Sequence, residues 1–265
     1  MIDLARRVAG NAAARAGGLA RDRFSGDLLI TAKGDQGDLV TDLDYEAERV
    51  IIDCITETFP EHRIISEERG EISGSAEWTW LLDPLDGTNN VALGLPLFGV
   101  CVTLCHHGIP IIAAVYAGHQ DATYVAVQGH GVIRDGTARL RIAGSTEPRR
   151  TTVSWIQGYG VRPDDPVPHR ALAGLHGKFK RILQLWAPTV DWALLVEGRI
   201  GAVVCYKNEI EDLMGGILAA VEAGAVLTDF SGRAVADPAE VFGLVVAVPS
   251  VLGPVVAALA GPDNN

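Results

Sequence analysis

The residues best suited to chemistry lie in the segment Asp83-Pro-Leu-Asp-Gly-Thr88. An apolar run predicts a strand that ends at Asp83, and Pro84 fixes the turn that brings Asp86 back toward the same place. The backbone amides of Gly87 and Thr88 could begin a helix and bind an anion. Two carboxylates that face an anion site need hard cations between them, and an all-oxygen ligand set favours Mg²⁺ or Mn²⁺ over zinc.

Three further acidic clusters stand at the ends of predicted elements. They are the segment 38–44 before a helix, Glu67-Glu68 after a strand, and Asp212 in the first turn of another helix. Each alone has a structural explanation: a capping box of Thr41 and Asp44, a solvated turn, and a helix-dipole partner. Four clusters together are hard to explain as caps and turns. If they converge, they can stay ionised together only with cations, because like charges raise each other's pKa.

The elements that must position these clusters are helices and strands in mixed order. Helices are predicted over 3–24, about 44–57, 169–177 and 212–223, and strands over 63–66 and 78–82, each strand ending at a carboxylate. Between 95 and 142, apolar runs alternate with turn signals, which predicts an antiparallel meander. We expect a layered α+β fold in one intertwined unit, with residues 1–145 carrying most candidate ligands and 146–265 contributing Asp212 and the substrate pocket.

Composition restricts the class of protein and its partners. The 265 residues are 48% hydrophobic, which excludes a disordered chain, and the net charge of −11 predicts no long nucleic acid and no anionic membrane as partner. Pro249 and Pro254 interrupt the uncharged stretch 241–260, which favours a strand and a C-terminal helix over a membrane span. The four cysteines form no CxxC pair, and we expect reduced thiols in a cytoplasmic protein. The seven histidines form no HExxH motif, and most lie in predicted turns.

The ordered set of acidic clusters resembles the inositol monophosphatase superfamily, whose members are Mg²⁺-dependent phosphomonoesterases of the lithium-sensitive type. The resemblance runs from the first helix to about Ser250. It rests chiefly on the segment 83–88, and YVAVQGHGVIRDGTARLRIAGS, LLVEGRIGAVV and VLTDFSG follow in the expected order. It implies a five-layered αβαβα sandwich of the inositol monophosphatase and sugar phosphatase type. The implied activity is hydrolysis of a small-molecule phosphate monoester with two or three Mg²⁺ ions, and homodimers are common among the members.

The resemblance also implies a role for each site residue. The implied metal ligands are Glu67, Asp83, the backbone carbonyl of Leu85, Asp86 and Asp212. The implied catalytic residues are Thr88 and Asp44, which together would orient the attacking water, and Glu67, which would also help to hold a weaker third metal. The implied substrate-binding residues are Asp86, Gly87, Thr88 and Lys33, around the phosphate.

Two departures from the family pattern bear on the substrate. Inositol-cleaving members usually carry a glutamate seven residues before the metal-binding aspartate, and this chain has Cys205 there, a weak hydrogen-bond acceptor. Glu211 precedes Asp212 in place of the usual tryptophan. Trp186 stands where the family has a small pocket element, so Trp186, with Trp155 and Tyr159, predicts a more aromatic pocket, unless these rings pack in the core.

Several functions remain open on these grounds. A phosphatase of inositol, sugar or polyol phosphates is the leading interpretation, with a 3′-phosphonucleotide or histidinol-phosphate phosphatase as the alternative. A catalytically silent binding or regulatory subunit belongs to another class, and the intact acidic set argues against it. A metal nuclease acting on long nucleic acid is disfavoured by the net charge of −11.

Overall fold

The computed structural model describes residues 1–33, 37–142 and 147–261. The helices are α1 (Ile2–Arg23), α2 (Asp42–Thr56), α3 (Thr88–Ala92), α4 (Pro166–Lys178), α5 (Pro188–Val196), α6 (Ile210–Ala223) and α7 (Pro249–Ala260). The strands are β1 (Ile30–Lys33), β2 (Asp38–Thr41), β3 (His62–Ser66), β4 (Gly70–Ile72), β5 (Ser75–Asp86), β6 (Gly99–His106), β7 (Ile109–Ala117), β8 (Ala122–Val127), β9 (Gly131–Arg134), β10 (Ala138–Leu140), β11 (Thr152–Gln157), β12 (Arg181–Leu183), β13 (Ala202–Tyr206), β14 (Val226–Asp229) and β15 (Gly243–Ala247).

Two sheets and three helical layers form the body of the fold. The larger sheet has the strand order β10-β9-β8-β7-β6-β5-β3-β4, and the smaller one has the order β12-β11-β13-β15-β14. Helices α1 and α2 pack on the larger sheet, α5 and α6 contact both sheets, and α4 and α7 pack together beside the smaller sheet. The order of layers is therefore αβαβα, which confirms the predicted sandwich.

The first helix packs closely because its buried face is built from small residues. The buried positions of α1 are Ala5, Ala9, Ala12, Ala13, Ala16, Gly17 and Ala20. At Gly17, an added Cβ would lie 2.1 Å from the Tyr116 ring of β7, so no larger residue fits there. The short side chains allow α1 to approach the sheet, and dispersion contacts along the whole helix stabilise this layer.

The predicted meander is confirmed, since β6 to β10 are consecutive antiparallel neighbours in the larger sheet. The predicted helix over 169–177 is α4, and the apolar C-terminal segment forms β15 and α7. Within the described residues, none of the helices has both the length and the apolar character required to cross a membrane.

Strand β5 connects two chemically different ends of the larger sheet. It runs between β3 and β6 and carries Glu77 near its start and Asp83 and Asp86 at its end. A strand rises by about 3.3 Å per residue, so Glu77 and Asp83 lie roughly 20 Å apart along it.

Candidate active site

A β-bulge places Asp83 and Asp86 on the same face of the sheet. Residues three apart in a regular strand point to opposite faces. Here Asp83 pairs with Cys101 and Asp86 with Gly99, and the register shifts between them, so β5 holds one residue more than β6. The extra residue restores the parity and turns both carboxylates to one side. The signal in the sequence is Pro84, because a proline inside a central strand marks a bulge.

Asp83 is the most electrostatically frustrated carboxylate of the site. Its Oδ1 atom is buried and has no hydrogen-bond partner among the described residues. Burial and the charges of Asp86 and Glu67 raise the pKa of Asp83 well above its usual value, and Asp212 adds to this effect. A buried acceptor without a donor suits a ligand that brings positive charge.

Asp86 is held by the first turn of a helix from a distant part of the chain. The Thr189 amide of α5 donates to Asp86 Oδ2 at 2.5 Å, and the Thr189 hydroxyl donates to the same oxygen. Burial nevertheless dominates, and it raises the pKa of Asp86 to about 7 although the Thr189 hydrogen bonds oppose this. Nothing local in the sequence marks Thr189 as a site residue, because it lies 103 residues from Asp86.

Two glycines seat the helix that carries Asp212. An added Cβ would lie 2.5 Å from Cys101 Sγ at Gly215 and 2.0 Å from the Trp192 ring at Gly216. Helix α6 can therefore approach both β6 and α5, and its first turn brings Asp212 to the end of β5. Burial, followed by the charge of Glu67, raises the pKa of Asp212 to about 8. We name Glu67, Asp83, Asp86 and Asp212 the carboxylate corner, because the charge of Glu67 raises the pKa of each of the three aspartates.

Lys33 supplies positive charge at the edge of the carboxylate corner. Its Nζ atom lies 2.8 Å from Glu67 Oε1 and 2.9 Å from Glu68 Oε1. Burial favours the neutral amine, yet these two carboxylates together hold the pKa of Lys33 above its usual value. The Glu67 side chain is 41% exposed, so it lies at the solvent-accessible edge of this acidic group.

Asp44 and Thr88 form the predicted pair, and Asp44 also serves the predicted capping box. Thr88 Oγ1 donates to Asp44 Oδ1 at 2.8 Å and lies 2.9 Å from the backbone carbonyl oxygen of Leu85. The Thr41 amide and hydroxyl donate to Asp44 Oδ2, at the start of α2. Burial raises the pKa of Asp44 against these hydrogen bonds. The structural and the chemical interpretations of this cluster are therefore compatible.

The donor set of the carboxylate corner fits hard divalent cations. All its side-chain donors are carboxylate oxygens, with the Leu85 carbonyl beside them and the buried Oδ1 of Asp83 unpartnered among the described residues. Within those same residues, no three carboxylates offer oxygens within 4.8 Å of one another.

Gly87, which the sequence predicts at the start of a helix, directly precedes α3. Gly87 has φ 87°, and an added Cβ would lie 2.6 Å from the Leu97 carbonyl oxygen. Its amide also stabilises the Asp86 carboxylate. The Gly87 backbone is thus already engaged with the carboxylate corner, next to Thr88.

Two of the three predicted aromatic side chains lie together and one does not. Trp186 and Tyr159 are 54% and 47% exposed, and Asn89 Nδ2 donates to the Tyr159 hydroxyl at 2.9 Å. Trp186 hydrogen-bonds to the same hydroxyl. Trp155 is instead buried beside Tyr206 and Phe230, so it belongs to the core. Trp186 and Tyr159 form an exposed aromatic rim.

Cys205 is buried and lines a cavity of about 130 Å³ with Ile210, Leu213 and Phe242. Burial raises the pKa of its thiol, so the neutral form persists at ordinary pH. Most side chains that line this cavity are apolar, and Lys207 and Asn208 are its polar members.

Asp191 is a further buried acid close enough to Asp86 for their charges to interact, and it was not among the predicted site residues. Asp191 in α5 is fully buried, and Ser154 Oγ donates to its Oδ1 at 2.6 Å. Burial raises the pKa of Asp191 to about 8. The signal was a single aspartate inside the apolar run PTVDWALLV, which is unusual for a buried helix.

Comparison with known proteins agrees with this geometry. A sequence model described as "Inositol monophosphatase family" matches residues 3–260. The chain is 30% identical over 229 residues to the Nus factor SuhB of Escherichia coli, covering 85% of both chains. It is 30% identical over 199 residues to a fructose-1,6-bisphosphatase/inositol-1-monophosphatase of Thermotoga maritima, covering 74% of this chain and 73% of that one. The extragenic suppressor protein suhB of Bartonella henselae shares the fold, with a TM-score of 0.87, 23% identity and 98% of both chains covered.

The name of the E. coli relative corrects one expectation. The predicted absence of a long nucleic acid among the partners is wrong, because relatives over most of the chain are named Nus factors, which is a name from transcription. Net charge averages over the surface and does not describe local patches. Arg149, Arg150, Lys180 and Arg181 are all exposed, and Lys180 N donates to Thr151 O, so these four cations lie together despite the net charge of −11.

Proposed function

Because the chain belongs to the inositol monophosphatase family, we propose that it hydrolyses the phosphate monoester of a small molecule with bound Mg²⁺. The observation that carries the proposal is a buried oxygen of Asp83 that finds no hydrogen-bond partner in the described part of the chain and lies among carboxylates whose charges raise its pKa. Such a group is unfavourable in the metal-free protein and becomes favourable when cations balance it.

The residues present divide into two ligand groups and an auxiliary one. Glu67, Asp83 and the Leu85 carbonyl would hold one ion, and Asp83, Asp86 and Asp212 would hold a second. Glu67 would also help with a weaker third, and Mn²⁺ can replace Mg²⁺ in an all-oxygen set. Bound Mg²⁺ lowers the pKa of a coordinated water and stabilises charge on the leaving oxygen.

The chain's own residues orient the reaction. The Thr88 hydroxyl donates to Asp44, so its lone pairs are left to accept a hydrogen bond from the attacking water. Hydrogen bonds from Thr41 hold Asp44 in place. Because the pKa of Asp44 is raised, its carboxylate can accept a proton from the Thr88 hydroxyl. Lys33, tied to Glu67 and Glu68, contributes positive charge where the phosphate dianion binds.

The substrate class follows from the surroundings of the carboxylate corner. The relative from Thermotoga maritima is named for fructose-1,6-bisphosphate and inositol-1-phosphate, which supports a sugar or inositol phosphate. The aromatic rim of Trp186 and Tyr159 and the apolar cavity at Cys205 support a substrate with a flat ring, such as a 3′-phosphonucleotide or histidinol phosphate. The four cysteines are free and buried, which supports a cytoplasmic location.

The test is phosphate release from a panel of monoesters, with Mg²⁺ and after its removal by a chelator. We expect release from at least one of inositol, fructose, 3′-nucleoside and histidinol phosphates, with activity restored by Mg²⁺. Absence of release from every monoester in the presence of Mg²⁺ or Mn²⁺ would overturn the proposal.

A second candidate function is a binding or regulatory role in transcription. It is supported by the name Nus factor SuhB among the relatives and by the four exposed cations around Arg150 and Arg181. The test is binding of the whole chain to a fluorescent RNA, compared with a variant in which Arg149, Arg150, Lys180 and Arg181 are glutamate. Equal binding of both proteins, or no binding by either, contradicts a role for this patch.

A further inference from the structure

A second group of metal-ligating side chains lies at the other end of β5. One donor atom from each of Glu77, His106 and His107 lies within 4.8 Å of the others, and within the described residues no other such group of three is found. Glu77 Oε1 and His106 Nε2 are 3.3 Å apart. We name Glu77, His106 and His107 the histidine cluster. It is separate from the carboxylate corner, and no step of the proposed hydrolysis involves it.

The backbone of the β5–β6–β7 region fixes these three positions. The His107 amide donates to the Glu77 carbonyl at 2.9 Å, which ties the end of β6 to the start of β5. His107 and Gly108 have φ 49° and 80°, and they form the two-residue turn between β6 and β7. Because both central residues have positive φ, this is a tight hairpin turn that fixes where the Cα–Cβ bond of His107 points, while its side-chain torsions stay free.

A ring stack holds His106 from one side. The His106 ring lies 4.1 Å from the Trp78 ring, and Trp78 also stacks on His62 at 5.8 Å. On its other side, the His106 ring lies 4.4 Å from that of His107. The two imidazoles thus lie side by side, and the His106 side chain is 38% exposed and accessible to an ion from solvent.

The donor chemistry selects a different metal from that of the carboxylate corner. Zinc bonds to nitrogen and oxygen of about 2.0–2.1 Å in a tetrahedron place neighbouring ligand atoms about 3.3 Å apart. The Glu77–His106 separation of 3.3 Å matches this edge, and a ring nitrogen of His107 lies within 4.8 Å of both donor atoms. Two imidazoles and one carboxylate with an open fourth position are a zinc ligand set, whereas Mg²⁺ prefers oxygen alone.

We propose that Glu77, His106 and His107 form a site for Zn²⁺, with water in the fourth position. The ion clips the start of β5 to the turn after β6, at the end of the sheet remote from the carboxylate corner. Because imidazole nitrogen also binds other transition metals, Co²⁺ and Ni²⁺ should bind the same site, Ni²⁺ more tightly than Co²⁺. This site does not depend on the proposed phosphatase activity.

The test is a calorimetric titration of the whole chain with Zn²⁺ in the presence of excess Mg²⁺, which occupies the carboxylate corner. We expect one zinc equivalent in the unmodified protein that the double variant His106→Ala/His107→Ala lacks, and at least about tenfold weaker binding in Glu77→Gln. His130→Ala is the matched control, because His130 is an exposed histidine elsewhere on the molecule. Equal zinc binding by the unmodified protein and the double variant would overturn the proposal.

A second measurement needs no variant. The ring ¹⁵N resonances of the seven histidines are recorded in the unmodified protein before and after one equivalent of Zn²⁺. Two rings should shift together by the amount that metal coordination of imidazole causes. If no ring shifts, or if the shifting rings are not those of His106 and His107, the site does not exist. Because the readout is coordination, it remains valid whether or not the protein hydrolyses phosphate esters.

Discussion

The two ends of β5 assemble metal-ligating side chains in opposite ways. At the carboxylate corner, Asp83 and Asp86 meet Asp212 and Thr189 from distant parts of the chain, and burial raises the pKa of the three aspartates. At the histidine cluster, two neighbouring strands and a two-residue turn supply all three ligands, and the ion-binding face is exposed.

The difference shows what each kind of site requires from the fold. A set of buried like charges is unfavourable until ions arrive, so only tight packing of α5 and α6 keeps it assembled. The histidine cluster brings together two imidazoles and one exposed carboxylate and so holds no set of buried like charges, and local strand pairing is enough to position it. The first arrangement suits chemistry on a charged substrate, because cations bound there would generate a strong local field.

The largest expected effect tests whether activity belongs to the carboxylate corner. Asp83→Asn removes a ligand that two ions would share, so we expect phosphate release to fall by at least about 100-fold, since the ions contribute several kcal/mol. The matched control is Glu211→Gln, an exposed carboxylate next to Asp212. The comparison fails if Asp83→Asn folds, as judged by circular dichroism, and retains activity within threefold of the control.

The second effect concerns the stability of the metal-free protein. The pKa values of Asp86 and Asp212 are raised to about 7 and about 8, so the native state holds protons that the unfolded chain releases near pH 4. Their contribution to stability is full below pH 4 and is lost as the pH rises through 7 and 8. One pKa unit corresponds to about 1.4 kcal/mol, and we expect unfolding free energy to fall by at least about 2 kcal/mol between pH 5 and pH 9.

Thermal unfolding in a chelator measures this pH dependence, and about 2 kcal/mol corresponds to a Tm decrease of roughly 4–8 °C. Mg²⁺ should restore the lost stability at pH 9. Asp212→Asn should flatten the profile and abolish most of the Mg²⁺ response, whereas Asp191→Asn, which removes a buried acid with a pKa of about 8, should flatten the profile but keep that response. A metal-free protein that is more stable at pH 9 than at pH 5 contradicts the expected direction of this dependence.

The third effect separates positioning of water from binding of ions. Thr88→Ala removes the hydroxyl that bonds to Asp44, and we expect kcat to decrease by about 30-fold, equivalent to roughly 2 kcal/mol. Thr88→Ser keeps the hydroxyl and should recover most of the rate, while the Mg²⁺ dependence stays the same in all three proteins. If the serine variant is as slow as the alanine variant, the hydroxyl has no such role.

The smallest effect sharpens the substrate class. Trp186→Ala removes the larger ring of the aromatic rim, and stacking on a base is worth about 1–3 kcal/mol, so KM for a 3′-phosphonucleotide should rise by about tenfold. KM for inositol or fructose phosphates should hardly change, since these have no flat ring. Equal changes in KM for both classes of substrate would indicate that Trp186 acts by shaping the segment between β12 and α5 and not by stacking on a base.

The sequence was most informative where a signal is local. The Thr41–Asp44 capping box, the strand ending at Asp83, the meander and the helix after Asp212 all follow from spacing within a few residues, and the structure contains each of them. The family resemblance supplied the layer order, which periodicity alone does not determine. The Asp44–Thr88 contact, across 44 residues, was expected only through that resemblance.

Contacts that depend on packing between layers could not be predicted. Thr189 reaches Asp86 because α5 lies between two sheets, and Trp155 enters the core because β11 is an interior strand of the smaller sheet. The turn at His107-Gly108 could be predicted from the sequence, because its signal is local. The contact between Glu77 and His106 could not, because it depends on the register of β5 against β6. Net charge gave a wrong answer about partners because it contains no information on position.

The position of Trp186 gives the protein its own optical probe. It is 54% exposed at the rim, whereas Trp80, Trp155 and Trp192 are at most 2% exposed and Trp78 is half-buried under His106. Emission at the long-wavelength edge of the fluorescence spectrum therefore comes mainly from one indole beside the carboxylate corner. Quenching of that emission follows a ligand as it arrives, without a label and before any bond is broken.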